Sequence, residues 1–127
     1  MRALFSAVAL GLLAAGCAGT APPAGAPEAR APVQPELSAE ERTLNAMLER
    51  ARSARLAGRL AEAESALESA LRIAPEDARA WLELAEVQFA SGDFSAARTL
   101  ADRAISLSDG DQAVVEAAQR LSAQMAE

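Results

Sequence analysis

The sequence contains no histidine, lysine or tyrosine, and it has one cysteine and four aromatic residues among 127. Without histidine and with a single thiol, it lacks the commonest general base and the usual donor sets for zinc. Neither a glycine-rich phosphate loop nor a nucleophile elbow is present. We therefore expect no catalytic, cofactor-binding or metal-binding residues, and we expect that the protein is not an enzyme.

An excess of positive charge is also missing. Twelve arginines stand against eighteen acidic residues, for a net charge of −6. Nucleic-acid binding draws on a basic face that displaces counterions, so we expect no nucleic-acid partner. The charge is uneven along the chain: residues 38–59 carry five arginines and three acids, whereas residues 76–127 carry four arginines and ten acids.

The longest apolar run is too short to cross a membrane. Met1-Arg2 is followed by Ala3–Ala15, an apolar segment interrupted only by Ser6 and Gly11. A spanning helix needs about 20 such residues, whereas the apolar core of a signal peptide has about 7–15. We expect residues 1–16 to be a signal peptide that is removed on export.

The residues that close this run are Leu13-Ala14-Ala15-Gly16-Cys17, and they resemble the lipobox of bacterial lipoproteins. Ala14 departs from the leucine that is more usual there. The resemblance implies that Cys17 is lipidated and becomes the first residue of the mature protein. Several acyl chains on one residue suffice for stable anchoring. With Ala18 next, the resemblance implies an outer-membrane anchor facing the periplasm in a Gram-negative host. The alternative is an ordinary secretory signal with a chance cysteine.

A segment rich in proline and alanine follows the cysteine. Five of the six prolines lie within residues 18–37, and proline fixes φ and removes a backbone donor. We interpret residues 17–37 as the lipidated cysteine and a disordered tether, which reaches about 60 Å in a polyproline II conformation. A proline-rich recognition motif is the alternative interpretation.

Helix-forming residues dominate the rest, which we assign to one all-α domain, residues 38–127. Alanine, the best helix former, occurs 34 times in the whole sequence. Ser38 and Glu41 have the spacing of a capping box. Apolar residues then recur at helical intervals, with breaks expected near Gly58, Pro75, Gly92 and Asp109-Gly110.

The domain repeats itself at an offset of 34 residues. The first unit covers residues 44–77 and the second covers Ala78–Asp111. Six residues of the first unit recur as the same residue type 34 positions later: Ala46, Glu49, Ala51, Gly58, Ala63 and Ala70. A 34-residue helix–turn–helix period resembles the tetratricopeptide repeat. The second unit resembles it best, through Trp81, Leu84, the turn Gly92-Asp93-Phe94, Ala97 and Ala104. Ala85, Gln88 and Ala101 depart from that pattern.

The expected fold is therefore about two tetratricopeptide-like helical hairpins and a C-terminal capping helix over residues 112–126. The alternative is a bundle of four or five helices with accidental periodicity. Trp81 and Phe94 match positions that pack one helix against the next, so we expect both to be buried.

The resemblance implies a protein that binds partners rather than one that catalyses. In this family the first helix of each unit lines a concave face that receives a peptide or a helix. The helical register places five residues on that face, where we expect them to engage a protein partner: Arg52, Arg55, Arg79, Leu82 and Phe89. The sequence thus favours a lipid-anchored adaptor or scaffold in the bacterial envelope, whose partner it does not identify.

A second function is kept open. The basic start of the domain and its acidic end would allow copies of the chain to stack head to tail, as a self-associating structural lipoprotein. Two repeats are fewer than the roughly three that usually make such arrays stable alone. Stacking between copies would therefore stabilise the domain.

Overall fold

The computed structural model describes residues 35–127, so the predicted signal peptide, Cys17 and the tether as far as residue 34 lie outside the described residues. The described part holds five helices and no strand: α1 (Ala39–Leu56), α2 (Leu60–Ile73), α3 (Ala78–Ser91), α4 (Phe94–Leu107) and α5 (Gln112–Gln124). The predicted all-α class is confirmed. None of these helices has both the length and the apolarity to cross a membrane.

The helices begin and end where local side-chain chemistry predicts. The Ser38 hydroxyl accepts from the backbone N–H of Glu41 at 3.1 Å, and the Glu41 carboxylate accepts from the backbone N–H of Ser38 at 2.7 Å. The predicted capping box is confirmed, and these bonds to Ser38 lower the pKa of Glu41. At the turns that end α1 and α3, Gly58 and Gly92 have φ of 76° and 87°, a left-handed conformation that disfavours other residues.

Successive helices pair into hairpins that stack in two layers. The chain pairs α1 with α2 and α3 with α4, and α3 also packs against α1, α2 and α5. Helices α1, α3 and α5 therefore form an inner layer, while α2 and α4 form an outer layer within the described residues. This is the arrangement expected for stacked helical hairpins followed by a capping helix.

Helices α1 and α3 run in the same direction. Asn45 near the start of α1 contacts Arg79 at the start of α3, and Arg55 near the end of α1 contacts Glu86 in the second half of α3. Contacts that advance together along both helices require a parallel pair. The first contact joins residues 34 positions apart. Residues separated by one sequence period therefore lie side by side on the two helices.

The core is built mainly from alanine. Eleven of the eighteen buried hydrophobic residues are alanines, and Leu67 is the only large side chain of the described residues that is fully enclosed. Buried residues form two clusters, one among α1, α2 and α3 and the other among α3, α4 and α5. Because alanine leaves little bulk between helices, their axes can approach closely, and the few large side chains carry much of the apolar burial.

The two aromatic residues expected in the core have different environments. Trp81 is half-buried against the second cluster, and its indole N–H donates to the carbonyl of Pro75 at 2.8 Å. Phe94 is 51% exposed, so the prediction that it is buried is wrong. It is the first residue of α4, directly after the N-cap Asp93. At that end its ring contacts Phe89 at a centroid distance of 5.4 Å.

The last helix, α5, is amphipathic. Val114, Ala118 and Leu121 are buried against α3 and α4, whereas Gln112, Glu116 and Gln119 are exposed. A polar outer face on the terminal helix is what keeps the end of a repeat stack soluble.

Candidate binding groove

The inner layer encloses a groove with two cavities along its length. One, of about 420 Å³, lies between the C-terminal halves of α1, α3 and α5 and is lined by Arg55, Glu86, Phe89, Ala90, Ala117, Arg120, Leu121 and Gln124. We call it the Phe89 cavity. The other, of about 330 Å³, lies between the middle of α1 and the N-terminal halves of α3 and α5, and it is lined by Asn45, Leu48, Glu49, Arg52, Arg79, Leu82, Glu83, Asp111, Ala113 and Val114. We call it the Asp111 cavity.

A buried carboxylate on α3, that of Glu83 in the lining of the Asp111 cavity, joins this helix to α1. The side chain of Glu83 is only 6% exposed. Its Oε1 accepts from Nε of Arg52 at 2.8 Å and also from Nη2 of the same guanidinium, while its Oε2 accepts from Nη2 of Arg55 at 3.4 Å. The hydrogen bond to Glu83 raises the pKa of Arg52. A buried carboxylate without such partners would be strongly unfavourable, so these two arginines stabilise the junction of α1 and α3.

Glu86, one helical turn further along α3, also pairs with Nη2 of Arg55. Burial raises the pKa of Glu86, against the opposing effect of the Arg55 charge. One nitrogen of Arg55 thus serves two carboxylates. Its Nε is buried and has no hydrogen-bond partner among the described residues. The donors of Arg55 are therefore only partly used inside the chain.

At the other end of the groove, Asp77 caps α3 and holds Arg79. Its Oδ1 accepts from the backbone N–H of Arg79 at 2.9 Å, and its Oδ2 accepts from the guanidinium at 2.7 Å. Burial alone would raise the pKa of Asp77, but the bonds from Arg79 and from the backbone N–H of Ala80 outweigh it, so that the pKa is lowered. Nη1 of Arg79 donates to Asn45 at 2.9 Å and so joins α3 to α1.

All five residues predicted to engage a partner line the groove, but they divide between its cavities. Arg52, Arg79 and Leu82 line the Asp111 cavity, whereas Arg55 and Phe89 line the Phe89 cavity. The three arginines each bond to a carboxylate of the chain, and Leu82 is buried. Their common face follows from the geometry, and their role in binding a partner stays a prediction.

The sequence interpretation missed the contribution of α5, which it treated as a cap alone. Helix α5 and its N-cap form one wall of both cavities, through Asp111 and Val114 at one end and Arg120 and Leu121 at the other. A signal for this existed: Asp111 follows Asp77 by 34 residues, and both cap their helices through the same kind of bonds to backbone N–H groups. Helix α5 thus begins one 34-residue period after α3.

The groove has no feature of a metal centre. Within residues 35–127, no group of three or more histidine, cysteine, aspartate or glutamate side chains is placed to hold a metal ion. Two carboxylates of the groove, those of Glu83 and Glu86, are instead bonded to arginines. What the arrangement offers chemically is recognition, by apolar walls and by charges at defined positions.

Comparison with known proteins agrees with this arrangement. A family model described as a tetratricopeptide repeat matches residues 54–124, from the last turn of α1 to the end of α5. No curated protein and no solved structure matches the chain.

Proposed function

Because the chain belongs to the tetratricopeptide-repeat family, we propose that it is an adaptor that binds a partner protein in the groove of α1, α3 and α5. Tetratricopeptide repeats are protein-interaction modules that are generally not catalytic. The finer proposal is that an extended segment or a helix of the partner occupies this groove, and that the adaptor is held at a bacterial membrane as part of an envelope assembly.

The observation that carries the binding proposal is the convergence of three helices on one concave surface. Arg52, Leu82 and Val114 come from three different inner helices and line the same cavity. The groove also combines buried apolar side chains with exposed polar ones, as protein interfaces do. Two hairpins and one further helix make a short groove, so contact area alone does not set the affinity.

The membrane proposal rests on the sequence around Cys17. The run Leu13–Cys17 resembles a lipobox, and the chain has no other cysteine. With residues 1–16 removed as a signal peptide, the acylated Cys17 would hold the domain at the membrane through the tether of residues 18–37. In a Gram-negative host we place that anchor in the outer membrane, facing the periplasm. Confinement to a surface also raises the effective concentration of a partner in the same compartment.

Lipidation of Cys17 is tested by mass spectrometry of the protein isolated from bacterial membranes. We expect an acylated Cys17 as the first residue, because the thiol is the acceptor and the residues before it are small. A Cys17→Ser variant is expected to lose the acyl mass and leave the membrane fraction. A mature protein that begins elsewhere, or an unmodified Cys17 in the membrane-derived protein, would contradict the anchor.

Use of the groove is tested by site-specific crosslinking in cells. A photoreactive residue in place of Ala113, which is exposed and lines the Asp111 cavity, should form a covalent adduct with a partner protein. The same residue in place of Ala61, exposed on the outer helix α2, serves as the control. We expect adducts at Ala113 at least about fivefold more abundant, since interface contacts concentrate in one patch. Equal adducts at the two positions, or none at Ala113, would place the binding surface elsewhere.

A further inference from the structure

We propose that the groove selects its partner by charge order. The occupant is an extended peptide with an acidic residue beside an apolar one in the Phe89 cavity and a basic residue in the Asp111 cavity, about three positions away. This inference rests on the proposed function, because it requires that the groove receives a segment of a partner protein. It adds the chemical class of that segment.

The Phe89 cavity has an excess of positive charge. Arg55 and Arg120 line it with Glu86 as the only acid. Arg120 is exposed and forms no ion pair with any described residue. Arg55 is paired, but through Nη2 alone. An incoming carboxylate would thus meet one unpaired guanidinium and a second whose donors are partly unused.

The same cavity has an apolar wall beside these charges. The apolar residues of its lining are Phe89, Ala90, Ala117 and Leu121. The ring of Phe89 also packs on the ring of Phe94, at a centroid distance of 5.4 Å, which holds it in place. An apolar side chain next to the acidic residue can therefore be buried while the carboxylate reaches Arg120. Aromatic and arginine side chains are the types enriched where interfaces gain most of their energy.

The Asp111 cavity has the opposite excess. Glu49, Glu83 and Asp111 line it against Arg52 and Arg79. Both arginines are occupied, Arg52 by Glu83 and Glu49, and Arg79 by Asp77. Asp111 is exposed, and only its Oδ1 accepts bonds, from the backbone N–H groups of Ala113 and Val114. The Asp111 cavity can therefore still pair with a positively charged side chain of a bound peptide.

The distance between the cavities sets the spacing in the peptide. Leu82 lines one cavity and Phe89 the other, and seven residues of helix span about 10 Å at about 1.5 Å per residue. An extended chain in the polyproline II conformation advances about 3.1 Å per residue and completes a turn every three residues, so that side chains three positions apart point to the same side. Two side chains that fill the two cavities are therefore about three residues apart, with opposite charges.

The test is a selection of random peptides displayed on phage, with the full-length protein in detergent as the target. We expect the bound peptides to carry a glutamate or aspartate next to an apolar residue, with an arginine or lysine three positions away. For a synthetic peptide of this type, the protein variant Arg120→Glu should have an affinity about tenfold lower than the wild type, because the new glutamate repels the acidic residue of the peptide. Changing the peptide's acid to lysine should restore it. Arg98→Glu, the same charge change on the exposed side of α4 outside both cavities, should alter the affinity less than twofold.

Bound peptides without this charge order, or an affinity that Arg120→Glu leaves unchanged, would overturn the charge-order proposal. So would a selection that returns no peptide. Crosslinking at Ala113 then distinguishes failure of the charge-order proposal from failure of the proposed function. Adducts that persist there would leave the groove as the binding surface with a different specificity, whereas loss of those adducts would remove the proposed function itself.

Discussion

Replacing Leu67 with alanine is expected to lower the free energy of unfolding by about 3–5 kcal/mol, the upper part of the range for buried leucines. Leu67 is fully enclosed in the cluster formed by α1, α2 and α3. Most of the other buried residues are alanines, whose short side chains cannot move into the vacated space. The cavity would therefore persist and add to the lost transfer free energy. For a domain with a total stability of about 5–10 kcal/mol, such a loss leaves little.

Equilibrium unfolding in urea, followed by helical circular dichroism, measures this loss. Leu56→Ala is the matched control, because Leu56 is 74% exposed at the end of α1 and the same atoms are removed there. We expect the control to change the free energy of unfolding by about 0.5 kcal/mol or less. Similar losses for both variants would mean that Leu67 is not enclosed and that α2 packs differently on α1 and α3.

The helices of this domain could be predicted from the sequence because the signals for them are local. The Ser38–Glu41 box, Gly58 and Gly92 act through bonds and dihedral angles within one turn of chain. The 34-residue period then gave the pairing of helices, since equal units stack in equal ways. The alternative of an accidental bundle is excluded by the family match over residues 54–124.

The environment of individual side chains was harder to predict, because it depends on contacts between helices. Phe94 has the apolar character of a core residue, but as the first residue of α4 it is 51% exposed and belongs to neither buried cluster. Arg52 and Arg55 of α1 were expected to engage a partner, and the sequence did not predict that they also pair within the chain. The structure places Glu83 and Glu86 of α3 opposite Arg52 and Arg55, a pairing across 31 positions that no local signal announces. The five predicted residues line the groove, but the sequence did not predict these ion pairs between helices.

The second large effect is expected at Glu83. Removing this carboxylate by Glu83→Ala should lower the free energy of unfolding by about 2–4 kcal/mol, because breaking a buried pair leaves its partners uncompensated. The side chain of Arg55 is 18% exposed and that of Arg52 is 45% exposed. Arg52 can recover hydration by turning outward, but Arg55 can do so only in part. The estimate therefore lies below the cost of breaking a fully enclosed pair.

Glu49→Ala is the control, since it removes the other carboxylate that pairs with Arg52, at 2.7 Å but with the Glu49 side chain 71% exposed. Exposed ion pairs contribute about 0–1 kcal/mol, so this variant should unfold almost as the wild type does. Urea unfolding of both variants under the same conditions gives the comparison. Losses of equal size would mean that Glu83 is solvated and that the link between α1 and α3 does not depend on it.

The Glu83→Ala variant also allows the effect on stability to be distinguished from the effect on peptide binding. In Glu83→Ala, Arg52 loses its main partner and Arg55 keeps only Glu86, so the positive charge of the Phe89 cavity extends along the groove. At a urea concentration and temperature where the variant is still folded, its affinity for a peptide with two acidic residues three positions apart should exceed that of the wild type. Glu49→Ala should change this affinity less, because Glu83 still holds both arginines. A destabilised variant with unchanged preference would show that Glu83 joins the helices without setting the charge of the groove.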